Sequence, residues 1–188
     1  EFTSGLTATA PTAVVTAGMI ETSNAAMNLG AVQMTADTTL NTVNSPGANI
    51  TIGTVSGSDD LVITAGIGTL TFQGDVSAAT VDATAATINI DGGTDAVVTT
   101  GTQLYTGSTV LGANTTMTAQ AANNGALSSI TFAGILNSSA SDARTLGLTG
   151  NAVFGGAVGG VDSLGSLSVS GTSAVDGGSI KTTGTQTY

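Results

Sequence analysis

The segment TTGTQLY at residues 99–105 returns as TTGTQTY at residues 182–188, an offset of 83 residues. A second segment, AVVTAG at residues 13–18, returns at the same offset as AVVTTG at residues 96–101. Self-similarity at a fixed period is typical of repeat architectures, in which each unit buries its apolar surface against its neighbours. The sequence therefore predicts a chain that builds length and surface from copies of one unit.

The copies do not keep a constant offset along their whole length. ADTTL at residues 36–40 matches ANTTM at residues 113–117, and ITI at residues 50–52 matches ITF at residues 130–132. Such changes in length are expected in surface loops, where they cost little. The predicted organisation is a lead-in over residues 1–11, a first copy over 12–94, a second copy over 95–177 and the start of a third over 178–188. The pair Glu1 and Phe2 is consistent with a cloning remnant.

The composition favours a folded β-structure. Of the 188 residues, 40% are hydrophobic and only 7% are charged, whereas disordered chains are poor in aliphatic residues and rich in charge. Thr and Gly are abundant while helix-favouring residues are scarce. Short runs alternate apolar and small or polar residues between Gly, Ser, Asn or Asp: residues 50–52, 61–63, 70–72, 88–90, 146–148 and 167–169. The chain is predicted to be all-β, with many short strands.

Two all-β architectures fit this pattern. In a parallel β-solenoid (β-helix), each copy winds into about four turns, or rungs, of roughly 21 residues. In the alternative, the copies are tandem immunoglobulin-like β-sandwiches. Aromatic residues make up 3% of the chain and Trp is absent, which suits a narrow solenoid interior better than a sandwich core. Gly and Asn between the runs suit the corners of a solenoid. We therefore expect the solenoid.

Charge and residue types narrow the classes of function. The chain has 12 acidic residues, two basic residues (Arg144 and Lys181) and a net charge of −10. Phosphate contacts need basic residues, so neither nucleic acid nor an anionic membrane surface is an expected partner. The sequence contains no run of 18 apolar residues, so it predicts no membrane-spanning helix. Since His and Cys are absent, a nucleophile would lack its usual activating base. We predict no catalytic residues, no cofactor and no enzymatic activity.

A calcium-binding site is the most specific alternative that the sequence suggests. Asp-Gly-Gly occurs at Asp91 and again at Asp176, Asp95 follows the first of them, and Asp59 and Asp60 are adjacent. Carboxylates that converge at repeated corners could bind Ca²⁺. Asp-Gly is also ordinary turn chemistry, and the Gly-Gly-x-Gly-x-Asp pattern of calcium-binding β-rolls is absent. The sequence therefore favours no metal site, with these five aspartates as the calcium candidates.

Two tyrosines occupy equivalent places at the ends of matched segments. Tyr105 ends the first segment and Tyr188 ends the second. We interpret both as caps on a strand or turn rather than as binding platforms.

The segments VLGANTTM (residues 110–117), FGGAVGG (154–160) and GGSIKTTGTQTY (177–188) resemble the β-strand repeats of large bacterial exoproteins. These are the filamentous-haemagglutinin-like and autotransporter-passenger adhesins. The resemblance implies a secreted or surface-tethered β-helical stalk that presents adhesive surfaces to a host cell, another bacterium or a biofilm matrix. It supplies no general catalytic motif.

The expected function is accordingly structural. We expect a repeat segment of a secreted or cell-surface bacterial filament or adhesin, acting as a rigid spacer and contact surface. A calcium-dependent surface-layer protein or an immunoglobulin-like adhesin repeat is the alternative. The expected partners are neighbouring repeats of the same chain and a host or bacterial surface receptor or glycan. Because the open ends of a solenoid are exposed sheet edges, end-to-end self-association is also expected.

Overall fold

A computed structural model describes residues 2–9, 13–42, 46–121, 124–140 and 142–188. In these residues all regular structure is β-strand, and 17 strands form one sheet that winds into a parallel solenoid of about eight turns. The predicted parallel β-solenoid is confirmed, and the chain is not a tandem of sandwiches. Glu1 and the predicted boundary at residues 11–12 lie outside the described residues.

The strands are short because a corner follows every few residues. They are β1 (Leu6–Ala8), β2 (Val14–Glu21), β3 (Met27–Asn41), β4 (Ile50–Ser56), β5 (Leu61–Phe72), β6 (Val76–Ala78), β7 (Val81–Ile90), β8 (Val97–Thr99), β9 (Gln103–Leu111), β10 (Thr115–Ala119), β11 (Ser129–Phe132), β12 (Leu136–Ser138), β13 (Leu146–Thr149), β14 (Asn151–Phe154), β15 (Leu167–Val169), β16 (Ser173–Val175) and β17 (Gln186–Thr187). The longer ones, such as β3 and β5, bend through a corner and serve two sides of the solenoid.

Each turn has three sides, which we call A, B and C in chain order. On each side, inward residues stack into columns, and these columns together form the core. One column of each side runs along the whole solenoid. The column of side A contains Leu6, Met27, Ile50, Leu70, Ile88, Thr109, Leu136, Val158 and Ile180. That of side B contains Val14, Val32, Val55, Val76, Val97, Met117, Leu148 and Val169. That of side C contains Ile20, Leu40, Ile63, Ala83, Tyr105, Phe132, Phe154 and Val175.

The alternation of apolar and polar residues produces these columns. Neighbouring residues of a strand point to opposite faces, so every second residue is buried. Strand β7 shows this directly, with Val81, Ala83, Ile88 and Ile90 almost fully buried and Asp82 exposed. Parallel strands about 4.8 Å apart then place like residues over like residues. The core is thus one continuous apolar stack along the solenoid.

The 83-residue repeat corresponds to four turns in the first half of the chain. Val14 and Val97 lie in the same column of side B, with Val32, Val55 and Val76 between them. The sequence offset and the geometry therefore agree there.

In the second half of the chain, each matched segment lies one side earlier in the turn than its counterpart in the first copy. Residues 38–40 are on side C, but their counterparts at 115–117 are on side B. Residues 50–52 are on side A, but their counterparts at 130–132 are on side C. The second copy, which has the same length as the first, therefore omits one side of a turn before these segments. The expectation that length changes fall only in surface loops is wrong at this point.

Two insertions lengthen the chain between one level of the solenoid and the next. Met117 pairs with Leu148, 31 residues later, whereas most residues pair with a partner 18 to 23 residues away. One insertion is at the corner between sides B and C, where Gln120 and Leu127 form an antiparallel bridge. The other, at residues 139–145, is at the following corner between sides A and B. Both lie near the same level of the stack.

Glycine permits close stacking at the corner between sides C and A. A Cβ atom added to Gly156 would overlap the carbonyl of Gly134, and one added to Gly177 would overlap the backbone of Gly156. Any larger residue would push adjacent turns apart and break the backbone hydrogen bonds between them.

Thr109 is the polar exception in the side A column. It is fully buried, and its hydroxyl has no hydrogen-bond partner among the described residues. An unpaired buried hydroxyl costs about 1–3 kcal/mol, so we expect Thr109→Val to raise the unfolding free energy by about 1–2 kcal/mol. Thermal and denaturant unfolding would measure the change. Thr51→Val, on the outer surface of the same side, is the control and should change stability by less than about 0.5 kcal/mol. A destabilised Thr109→Val variant would contradict the expectation.

Candidate contact surface

The outer surface of side A is a polar array without charge in its central turns. Asn28, Thr51, Thr71 and Asn89 follow one another in register on successive strands. Asn89 Nδ2 donates to Thr71 Oγ1 at 3.4 Å, so part of the array is held in place by contacts between turns. A second outward column contains Thr69, Thr87 and Ser108. Such a surface offers hydroxyl and amide groups to a neutral, hydrogen-bonding partner.

Side B carries a shallow groove in its later turns. Its volume is about 290 Å³, and it is lined by Thr94, Asn114, Thr115, Thr116, Thr145, Leu146, Gly147, Ser166 and Ser168. Thr116, Gly147 and Ser168 follow one another in register, and Gly147 leaves a gap in this outward column. The groove therefore presents hydroxyl groups and lacks an ionisable side chain.

The inserted loop at residues 139–145 lies beside this groove. Arg144 Nη2 donates to Asp142 Oδ2 at 2.8 Å, and Ser139 Oγ donates to the same carboxylate oxygen at 2.9 Å. The backbone N–H of Thr145 donates to Asn114 Oδ1 at 3.1 Å, which fixes the end of the loop to the preceding turn. Hydrogen bonds therefore hold the described residues of this loop, and the ion pair between Asp142 and Arg144, which is partly exposed, adds little stability.

The five candidate calcium ligands lie at three different corners. Asp59 and Asp60 are between sides B and C, Asp91 and Asp95 are between sides A and B, and Asp176 is between sides C and A. Among the described residues, no group of three or more His, Cys, Asp or Glu side chains could hold a metal ion. Of these five candidates, only Asp59 with Asp60 and Asp91 with Asp95 share a corner.

Two of these aspartates form hydrogen bonds with residues of the neighbouring turns. Asp60 Oδ1 accepts from Thr80 Oγ1 at 2.7 Å, and its backbone N–H donates to Asp37 Oδ1 at 3.1 Å. Asp95 has a left-handed backbone with φ of 56°, and its N–H donates to Thr116 Oγ1 at 2.6 Å. Each aspartate therefore has a role in linking one corner to the next turn.

Tyr105 belongs to the core and does not cap a strand. Its ring is fully buried on side C, and its hydroxyl donates to Gln103 Oε1 at 3.0 Å. Gln103 Nε2 donates to Thr99 Oγ1 at 3.1 Å and to the carbonyl of Thr118 at 2.8 Å. Burial raises the pKa of the Tyr105 hydroxyl well above its usual value. The repeated motif thus encodes a buried hydrogen-bond network, which the sequence interpretation missed.

The second occurrence of the motif forms the same contacts at the surface. Gln186 Nε2 donates to Thr182 Oγ1 at 3.3 Å, and the Tyr188 hydroxyl donates to Gln186 Oε1 at 2.9 Å. Here Tyr188 is 57% exposed. The network therefore forms from local sequence and does not require a covering turn.

No helix among the described residues is long and apolar enough to cross a membrane. Comparison with models of protein families, with curated proteins and with solved structures finds no match to this chain.

Proposed function

We propose that the chain is a structural segment of a secreted or cell-surface bacterial filament or adhesin. In this role it is a rigid spacer that also presents a contact surface, and it performs no catalysis. The observation that carries the proposal is the continuous parallel ladder, in which successive turns pair with each other on three sides.

Rigidity follows from this pairing. To bend the solenoid, inter-strand hydrogen bonds on at least one side must break, and the close-packed core beneath them must open. At about 4.8 Å for each turn, eight turns give a length of roughly 40 Å. A longer array of such turns would extend the spacer in proportion, as in other solenoids.

The outer surface supports the contact role. Sides A and B present threonine, serine and asparagine side chains in register, and two insertions interrupt the corners close to the same level. Loops on a rigid scaffold commonly carry recognition. The partner that fits best is a neutral surface glycan or an uncharged protein surface, because the hydroxyl array has no complementary charge to offer. Absence of cysteine is compatible with export.

Bead adhesion tests the contact role. Beads coated with the chain should remain on epithelial cells or biofilm under flow several-fold more than beads coated with albumin. Thr51→Glu combined with Thr71→Glu changes side A without touching the core and should reduce retention. Retention equal to that of albumin on every surface would reject the contact role. Small-angle scattering that shows flexible beads instead of one stiff body would reject the spacer role.

A further inference from the structure

The insertion at the corner between sides B and C contains a dipeptide that is chemically reactive. Asn124 is followed by Gly125, and no other asparagine in the sequence is followed by glycine. The backbone nitrogen of a residue can attack the side-chain amide of a preceding asparagine, and glycine has no side chain to shield that nitrogen. Both residues are exposed, so water reaches them. The dipeptide therefore has the composition and the exposure that deamidation of the asparagine requires.

A hydrogen bond holds the side chain of Asn124 against its own backbone. Asn124 Oδ1 accepts from the backbone N–H of Ala126 at 3.0 Å. The nitrogen of Gly125 lies within the ring that this bond closes, so the Cγ atom of Asn124 stays near it. The same N–H of Ala126 stabilises the negative charge that develops on Oδ1 during attack. The geometry therefore favours attack on this amide.

One other hydrogen bond of the corner opposes the attack. The backbone N–H of Gly125 donates to the Ala121 carbonyl at 3.0 Å, and this bond must open first. Because Gly125 is exposed, water can replace the lost bond, and the opening costs little. The bridge between Gln120 and Leu127 keeps the opening within the corner.

Several other asparagines join neighbouring turns instead. Four of them accept, through Oδ1, from a backbone N–H of another turn: Asn24, Asn49, Asn114 and Asn151. Asn24 is the closest match to Asn124, because it is exposed, lies at a corner and precedes the small residue Ala25. Its Oδ1 accepts from the backbone N–H of Gly47 at 3.1 Å, 23 residues later in the chain. The side chain of Asn24 is thus engaged with the next turn.

We propose that Asn124 is a site of spontaneous deamidation, through which this corner gains a carboxylate with time. The nitrogen of Gly125 loses its proton to hydroxide and bonds to Cγ of Asn124. The bond from Cγ to the side-chain nitrogen breaks, and this nitrogen takes up a proton from water and leaves as ammonia. Water then opens the resulting succinimide. Cleavage at Cγ gives aspartate, whereas cleavage at the backbone carbonyl carbon gives isoaspartate, so one water is consumed for each ammonia released.

The conversion changes the insertion and leaves the scaffold intact. Either product adds one negative charge to the net charge of −10. In isoaspartate the backbone runs through one additional carbon atom next to Gly125, whose carbonyl accepts from Gln120 Nε2 at 3.0 Å. The buried core does not include residues 120–128, so the solenoid remains folded.

Incubation of the folded chain at neutral and mildly alkaline pH tests this reaction. Peptide mapping by mass spectrometry, with fragmentation that distinguishes isoaspartate from aspartate, follows each asparagine. Asn124 should convert about tenfold faster than Asn24, because only Asn124 has its amide positioned beside an unshielded nitrogen. The rate should rise with pH, since the nitrogen of Gly125 must lose a proton.

Three variants assign the reaction to this dipeptide. Asn124→Gln should abolish the conversion at this corner, which distinguishes Asn124 from its neighbour Asn123. Gly125→Ala should slow it several-fold, because a methyl group shields the nitrogen. Asn24→Gln is the matched control and should leave the conversion of Asn124 unchanged. Circular dichroism would verify that each variant and the converted chain remain folded.

Two results would overturn the proposal. One is conversion of Asn124 in the folded chain that is no faster than conversion of Asn24. The other is isoaspartate formation at this corner that persists in Asn124→Gln, because it would place the reaction at another residue.

Discussion

Phe132→Ala is expected to lower the unfolding free energy by about 3–5 kcal/mol, which is the usual cost of removing a buried phenylalanine. Phe132 is 1% exposed and lies between two other rings. Its centroid is 5.3 Å from that of Tyr105 and 6.0 Å from that of Phe154, with nearly parallel planes. Truncation therefore removes two ring contacts and opens a cavity in the middle of the side C column.

The solenoid has little capacity to close that cavity. The inward neighbours are held by backbone ladders on both edges, so their positions cannot shift without loss of hydrogen bonds. For a chain of this size, the expected loss lowers the melting temperature by about 6–20 °C. Thermal unfolding followed by circular dichroism would measure it.

Two variants make the comparison specific. Phe2→Ala removes the same side chain at a position that is 48% exposed, and it should cost less than about 0.5 kcal/mol. Phe132→Leu keeps much of the volume and should recover most of the loss. Equal effects of Phe2→Ala and Phe132→Ala would contradict the proposed role of the ring stack.

The sequence predicts most of the architecture, for identifiable reasons. Alternation with a period of two specifies which residues point inward, and Gly marks many of the corners where the chain passes from one side to the next. Residues 50–52, 61–63, 70–72 and 88–90 all lie on strands that the alternation predicts. The shortage of aromatic residues favours the narrow solenoid, whose column positions are mainly occupied by aliphatic side chains.

The side on which a segment lies was not predictable. A period of two distinguishes inside from outside but does not distinguish side A from side C. Corners vary in length, so that residues in register are 18 apart between Val14 and Val32 but 31 apart between Met117 and Leu148. Sequence matching therefore aligned residues 50–52 with residues 130–132 although the two segments occupy different sides. Only the pairing of strands shows that these matched segments lie on different sides.

The candidate sites were predicted less well, also for a physical reason. Asp-Gly suits any corner, and the five aspartates are distributed over three corners, so their similarity in sequence does not bring them together. The interpretation of Tyr105 as a cap uses only its place at the end of a matched segment and assigns no role to Gln103, so it misses the buried network. Their spacing of two places both side chains on the same face, and this signal could have indicated an inward pair.

The repeated motif provides an internal comparison for the energetic role of burial. Gln103→Ala should cost about 2–4 kcal/mol, because the Tyr105 hydroxyl and the Thr118 carbonyl lose buried hydrogen bonds, each worth about 1–3 kcal/mol when left unpaired. Gln186→Ala removes the equivalent bonds from an exposed copy of the network. Water can replace those bonds, so the expected cost is below about 1 kcal/mol. Denaturant unfolding of the two variants gives the difference directly.

A double-mutant cycle shows whether the tyrosine accounts for this difference. Tyr105→Phe removes the hydroxyl that Gln103 pairs with and leaves the ring stacked on Phe132. If the unpaired hydroxyl is the main cost, Gln103→Ala should be less harmful in the Tyr105→Phe background, with a coupling energy of about 1–2 kcal/mol. Additive effects would place the cost in the lost packing of the glutamine side chain instead. Equal losses in Gln103→Ala and Gln186→Ala would mean that burial does not strengthen the network, since the two sites share the same local hydrogen bonds and differ in the turn that covers them.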